Sequence, residues 1–166
     1  VKNATLTSKL VIIDDETIFR DSMQLTWETS QVSRVVKHVS QLLDTHVIFT
    51  FDKHGVSQHL NHISVYNGVR DFIQQQQQQE QAIVAYELET TSLIEKYAGI
   101  IPILMQSTVA PPQETQQWPN KISFATPEFW QAYRGMNAHA SQFVWFRKLY
   151  ILFSRFSYLN TFKRIN

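Results

Sequence analysis

The stretch "HVIFTFDKHGVSQHLNHISVYNGVR", residues 46 to 70, passes from one kind of periodicity to another within a few residues. Its opening, "HVIFTF", is dominated by β-branched and aromatic side chains and reads as a strand. "DKHG" closes that strand with turn-forming residues, and the spacing from about Ser57 to Ile73 predicts a helix. Gly55 supplies a backbone that turns tightly and can be approached closely. A strand that feeds a helix through a short polar loop is the unit from which layered α/β domains are built.

Outward from this unit the alternation continues. On the N-terminal side, Val32, Val35, Val36, Val39, Leu42 and Leu43 recur at helical spacing from Thr29 onward. Before them, "SKLVIID" at 8 to 14 reads as a short buried strand that runs into acids. On the C-terminal side, "AIVAYEL" at 82 to 88 is a third strand, and "TTSLIEKYAG" at 90 to 99 a short helix with a capping Ser or Thr and a terminating Gly99. "IIPILMQST" and "KISFAT" read as further strands, with Pro111, Pro112 and Pro119 in the loop between them. A long helical stretch is expected from about Pro127 to Phe156. The order predicts one α/β domain over residues 1–166 with a mainly parallel sheet. The six glutamines Gln74 to Gln79 fall where a helix should end, and read as a tolerated expansion of length.

Composition bounds the chemistry. At 166 residues and 43% apolar the chain can bury one core. It has no cysteine, so a bound metal must be held by nitrogen and oxygen, and thiolate nucleophiles are excluded. The net charge of +1 hides a strong asymmetry: no acidic residue follows Glu128, while Arg134, Arg147, Lys148, Arg155, Lys163 and Arg164 do. The first 128 residues carry nine basic against fourteen acidic side chains. No apolar run approaches the roughly 20 residues of a membrane span, so a membrane would be met at its surface. The basic residues form no recognised nucleic-acid motif, and no nucleic-acid partner is expected.

Three of the six histidines lie between His54 and His62. His59 and His62, three apart, would project from one face of the first helical turn at the carboxyl end of a strand, where parallel sheets collect ligands. The helix macrodipole there favours neutral rings, the form that binds metal or hydrogen-bonds to developing charge. The bare spacing fits half of a metal site, and equally the polar mouth of a helix. Asp52 closes the strand and either fixes the loop or simply caps it. The aromatics of 128–166, among them Phe143, Trp145, Phe146, Tyr150 and Phe153, surround Arg147, Lys148 and Arg155, a mixture suited to the interface of an anionic membrane or to a helix packed into the core.

These segments also resemble a known family. "VIFTFDKHGVSQHLNHISVYNGVR" is similar to the second conserved block of the PIG-L/LmbE family of zinc-dependent deacetylases, whose eukaryotic members read TFD-xx-G-V-S-x-H-x-N-H. "VIIDDETIFRDSMQLTWETSQVSRVVKHV" resembles the segment that precedes that block, and "MNAHASQFVWFRKLYILFSRFSYLN" the closing segment of the eukaryotic branch. The resemblance implies a three-layer Rossmann-like fold and zinc, or another divalent metal, as cofactor. It implies that His62 is a metal ligand, that His59 stabilises the oxyanion or acts as general acid, and that Asn61 orients a histidine. His139, in an H-x-S-Q element, and Arg147, Lys148 and Arg155 are candidates for a surface facing substrate or membrane.

The family's A-H-P-D-D-E block, which supplies further ligands and the base, is not found. "IIDDE" at 12 to 16 lacks its His-Pro, so Asp14 and Asp15 are not taken as catalytic. The chain is expected to begin after that block and its strand. The implied reaction is hydrolysis of the N-acetyl group of N-acetylglucosaminyl-phosphatidylinositol, an early step of glycosylphosphatidylinositol-anchor biosynthesis, at the cytosolic face of the endoplasmic reticulum membrane. The implied partners are that glycolipid and the membrane surface. Two other readings stand beside it: an inactive truncated relative that binds membrane or partners, and a deacetylase of a soluble N-acetylglucosaminide.

Overall fold

The computed structural model describes residues 9–76, 83–97, 118–126, 130–139, 141 and 143–166. Helix α1 spans Thr29–Leu42, strand β1 Val47–Phe51, a single irregular turn α2 Gly55–Gln58, and helix α3 Leu60–Gln76. Strand β2 (Val84–Leu88), α4 (Leu93–Lys96), β3 (Lys121–Ala125), α5 (Trp130–Asn137), α6 (Trp145–Phe153), a 3-10 turn (Arg155–Ser157) and β4 (Leu159–Arg164) follow.

The sheet has the order β1-β2-β4-β3. β1 lies parallel to β2, from Val47 opposite Val84 to Phe51 opposite Leu88, with α3 as the crossover between them. β4 runs antiparallel to both β2 and β3. The described sheet is therefore mixed, with one parallel and two antiparallel pairings, where a mainly parallel one was expected. The cause is the C-terminal segment, which returns as β4 between β2 and β3 and reverses the direction.

Three expectations about elements change accordingly. The helical stretch to Phe156 is broken into α5 and α6, and the helical segment expected over 128–166 ends in a strand. Residues 9–14 of "SKLVIID" form no strand; Leu10 and Ile12 point outward at 84% and 76% exposure. Instead Val11 and Ile13 line a groove with Val35, Val39 and Leu42 of α1. Apolar composition calls for a covering surface, and here a helix face supplies it in place of a sheet edge. The strand expected at 100–108 and Gln77 to Gln79 lie outside the described residues.

The core sits between α3 and one face of the sheet. Tyr66, Val69, Phe72 and Ile73 of α3 meet Ala85 and Ile165, with Val36 of α1 and Ile48 of β1 at the margin. Phe72 is 1% exposed, and burial of a side chain of that size stabilises by about 1.5–3 kcal/mol. α1 crosses α3 at Gly68, where an added Cβ would lie 2.3 Å from Cγ1 of Val32. Here glycine is required for close approach of two helices. The opposite sheet face holds Tyr86, fully buried, with its hydroxyl donating to the Pro119 carbonyl at 2.8 Å and its ring stacked on Phe49.

Candidate active site

Because β1 and β2 are parallel, the loops that leave their carboxyl ends emerge side by side. Asp52, buried just beyond β1, ties the two together. Its Oδ1 accepts from the His54 N–H at 3.0 Å and from the Thr90 hydroxyl at 2.8 Å, and its Oδ2 accepts from the Thr90 N–H at 2.8 Å. The carboxylate fixes the loop and also bridges it to the neighbouring strand's end.

The loop itself is forced into left-handed backbone. Gly55, Val56 and Gln58 have φ of 58°, 64° and 62°. For the β-branched Val56 this costs on the order of 1–2 kcal/mol. The Gly55 N–H donates to the Asp52 carbonyl at 2.9 Å and the Gln58 N–H to that of His54 at 2.8 Å, which hold the turn against that cost. A Cβ on Gly55 would also meet Cγ1 of Ile63 at 3.0 Å and Cβ of His62 at 3.1 Å, so both conformation and space call for glycine.

This turn sets the chemistry of the two histidines. The Gly55 carbonyl lies 3.1 Å from Nδ1 of His62. A carbonyl only accepts, so Nδ1 carries the proton and Nε2 is left with an open lone pair. His59 has the opposite tautomer: the Asn61 N–H donates to its Nδ1 at 3.3 Å, which puts the proton of the neutral ring on Nε2. That Nε2 faces Oδ1 of Asp21 at 3.9 Å. The His62 ring is clamped between Phe51, stacked 3.9 Å away and nearly parallel at 8°, and His59 at 4.5 Å. The pair therefore presents one acceptor nitrogen and one donor N–H, His62 from the first turn of α3 and His59 from the extended residue just before it, where both were expected on one helical turn.

Other expected residues lie elsewhere. The Asn61 side chain is buried but reaches no histidine ring: Oδ1 accepts from Ser22 N–H at 2.8 Å and Nδ2 donates to the Leu25 carbonyl at 3.1 Å. It pins the segment before α1 onto α3, and only its backbone N–H touches His59. Arg155 donates to the Thr161 hydroxyl at 3.2 Å, which turns it toward β4. His139 is exposed after α5, and Lys148, exposed on α6, holds its Nζ 5.4 Å over the Phe143 ring. Asp14 is exposed; Asp15 accepts from its neighbour Thr17, which lowers its carboxyl pKa. Asp21, Thr90 and Phe51 were not singled out in the sequence; Thr90 lies 38 residues from Asp52, and no spacing rule links them.

Comparison with known proteins now bears on the arrangement. The chain is 28% identical to a "Probable N-acetylglucosaminyl-phosphatidylinositol de-N-acetylase" of Dictyostelium discoideum, over 91% of this chain and 67% of that protein. It is 29% identical to the N-acetylglucosaminyl-phosphatidylinositol de-N-acetylase of Bos taurus, over 93% of this chain and 57% of the relative. The Saccharomyces cerevisiae protein of that name is 29% identical over 87% of this chain and 56% of its own length. The chain belongs to the PIG-L family. It spans between about half and two thirds of the lengths of these PIG-L relatives. No family model matches the chain, and no solved structure does.

PIG-L membership brings the question of zinc. A catalytic zinc takes about three protein ligands and a water. Among the described residues no group of three or more His, Asp or Glu could hold a metal. The open Nε2 of His62 suits one ligand position, whereas Nε2 of His59 carries its proton. The described residues thus offer one ready imidazole, which falls short of a zinc site.

Half-buried Glu87 and buried Tyr66 complete the surroundings. Burial, followed by the charge of Asp52, raises the carboxyl pKa of Glu87, while a hydrogen bond from Tyr66 acts in the other direction. Burial also raises the Tyr66 hydroxyl, with Glu87 adding to the shift.

Proposed function

We propose that the chain hydrolyses the N-acetyl group of N-acetylglucosaminyl-phosphatidylinositol, as an early step of glycosylphosphatidylinositol-anchor biosynthesis at the endoplasmic reticulum membrane, on its cytosolic side. The observation that carries this reading is the pair of complementary tautomers. Amide hydrolysis needs a donor where negative charge develops on the carbonyl oxygen, and the outward Nε2–H of His59 is such a donor. It also needs an activated water, and Nε2 of His62 keeps the lone pair through which a divalent ion acting on that water would be held. The C–N bond breaks, water supplies the oxygen of acetate, and a proton passes to the amine that stays on the lipid.

Zinc, or another divalent metal, is part of the same proposal. His62 would hold it through Nε2, and such an ion supplies charge stabilisation and a more acidic water. The relatives' names support the substrate, and the strand-loop-helix unit β1-α3-β2 supports a Rossmann-like core of three layers. A second reading is favoured by the short donor set: a chain that holds the glycolipid without cleaving it.

One assay separates these. The chain is incubated with the glycolipid and with a water-soluble headgroup analogue, and acetate release is measured beside His59→Ala and His62→Ala. Loss of one oxyanion donor is expected to cost about 10²–10³-fold in turnover. Release that is unchanged in both variants overturns the proposal. Retention of the glycolipid with no acetate supports the second reading. Faster release from the soluble analogue moves the substrate to a soluble N-acetylglucosaminide.

A further inference from the structure

Among the described residues, exposed large apolar side chains gather in two places, the segment from Leu10 to Leu25 and helix α6, and only those of α6 lie on one regular helix. Trp145, Phe146, Leu149, Leu152 and Phe153 are 73%, 54%, 49%, 47% and 51% exposed, while Ile151 of the same helix is 3% exposed. At about 100° per residue the five outward side chains fall in one stripe roughly 120° wide, with Ile151 on the opposite side. The helix is thus anchored to the protein by one face and presents an uncovered apolar face. Beside the stripe runs a groove of about 500 Å³ lined by Tyr97, Met136, Arg147 and Tyr150 together with Phe146 and Phe153.

Charge decides what this face is for. Lys148 borders the stripe with its ammonium over Phe143, and Lys96 stands 5.9 Å above the Tyr150 ring at the groove. No acid follows Glu128 in the chain, so the positive charge of this region is not balanced within its own segment. A nine-residue helix is about 13 Å long and cannot cross a bilayer, and among the described residues no helix is long and apolar enough to do so. An apolar stripe rich in aromatics and rimmed by lysine matches the interface of an anionic bilayer, where rings reach acyl depth and ammonium groups meet phosphate. We infer that α6 lies in the plane of an anionic lipid surface, with Trp145, Leu149 and Phe153 inserted and Lys148 at the phosphates.

This deepens the proposed function by assigning its membrane partner to one helix, and rests on that reading only for the choice of phosphatidylinositol as probe. The test is co-sedimentation of the full chain with phosphatidylcholine vesicles with and without phosphatidylinositol. Binding is expected with the anionic vesicles. Trp145→Ala combined with Leu149→Ser should weaken it by roughly tenfold or more, since each removes a contact with the acyl region. Lys148→Glu should weaken binding to anionic vesicles and leave the neutral ones unaffected, and circular dichroism confirms that each variant is folded. Wild type that ignores both vesicles, or that instead captures a second protein through α6, overturns the inference. So does a folded double variant that binds as wild type does. Vesicle binding needs no turnover: its failure leaves acetate release from the soluble analogue standing, and failure of hydrolysis leaves vesicle binding standing.

Discussion

The Asp52 bridge makes a prediction whose size follows from its three bonds. In Asp52→Asn one oxygen remains, enough for the His54 N–H and the Thr90 hydroxyl, while the new amide nitrogen faces the Thr90 N–H. An unsatisfied buried N–H costs about 1–3 kcal/mol. The two remaining bonds also lose a charged acceptor, which weakens them by roughly another 1 kcal/mol together. Removal of the Asp52 charge relieves Glu87, which gives part of this back. The net expectation is a loss of about 2–3 kcal/mol, or about 4–12 °C in midpoint for a chain of this size. Urea unfolding at constant slope measures it. Thr90→Val removes only the hydroxyl bond and should cost about 1 kcal/mol. Combined, the two variants should fall short of additivity by at least about 0.5 kcal/mol, because they share a partner. An Asp52→Asn variant within about 0.5 kcal/mol of wild type, or strict additivity of the pair, would refute the bridge.

Two glycines fail for different reasons. Gly68→Ala drives a methyl into Val32 and should destabilise by about 1–3 kcal/mol, recovered in part by Val32→Ala; a double variant no better than the single would exclude the helix contact as cause. Gly55→Ala should cost about 1–2 kcal/mol and also lower acetate release, since the Gly55 carbonyl sets the His62 tautomer; intact release at lowered stability would separate the two effects. Glu87 carries a pH signature. Its folded pKa lies above its ordinary value, so its contribution to stability is full below the unfolded pKa and is lost as pH rises through the folded one. Glu87→Gln keeps an oxygen for Tyr66 and should therefore gain on wild type from about pH 4 to about pH 7 in urea midpoints. A constant difference across that range counts against it.

The elements that were legible in the sequence are those whose pattern and partner agree. The valines from Val32 to Val39 make α1 recognisable, and "VIFTF", "VAYEL" and "KISFA" become β1, β2 and β3. "SKLVIID" had the composition of a strand without a sheet edge to join. β4, "LNTFKR", mixes polar and apolar residues beside an aromatic helical run, and its pairing partners lie 34 or more residues away in the chain. For the candidate site, "HGVSQHLNH" was enough to single out His59 and His62, because their spacing of three residues is a local property. Which ring nitrogen of each is free was not local in that sense: it follows from the Gly55 carbonyl, placed by a left-handed turn, and from the Asn61 N–H. The sequence by itself determined which side chains could carry the chemistry. Only the tertiary structure decided how Asp52 meets Thr90, that Arg155 turns inward and that α6 keeps its apolar face outward, because these depend on contacts between segments with no fixed spacing along the chain.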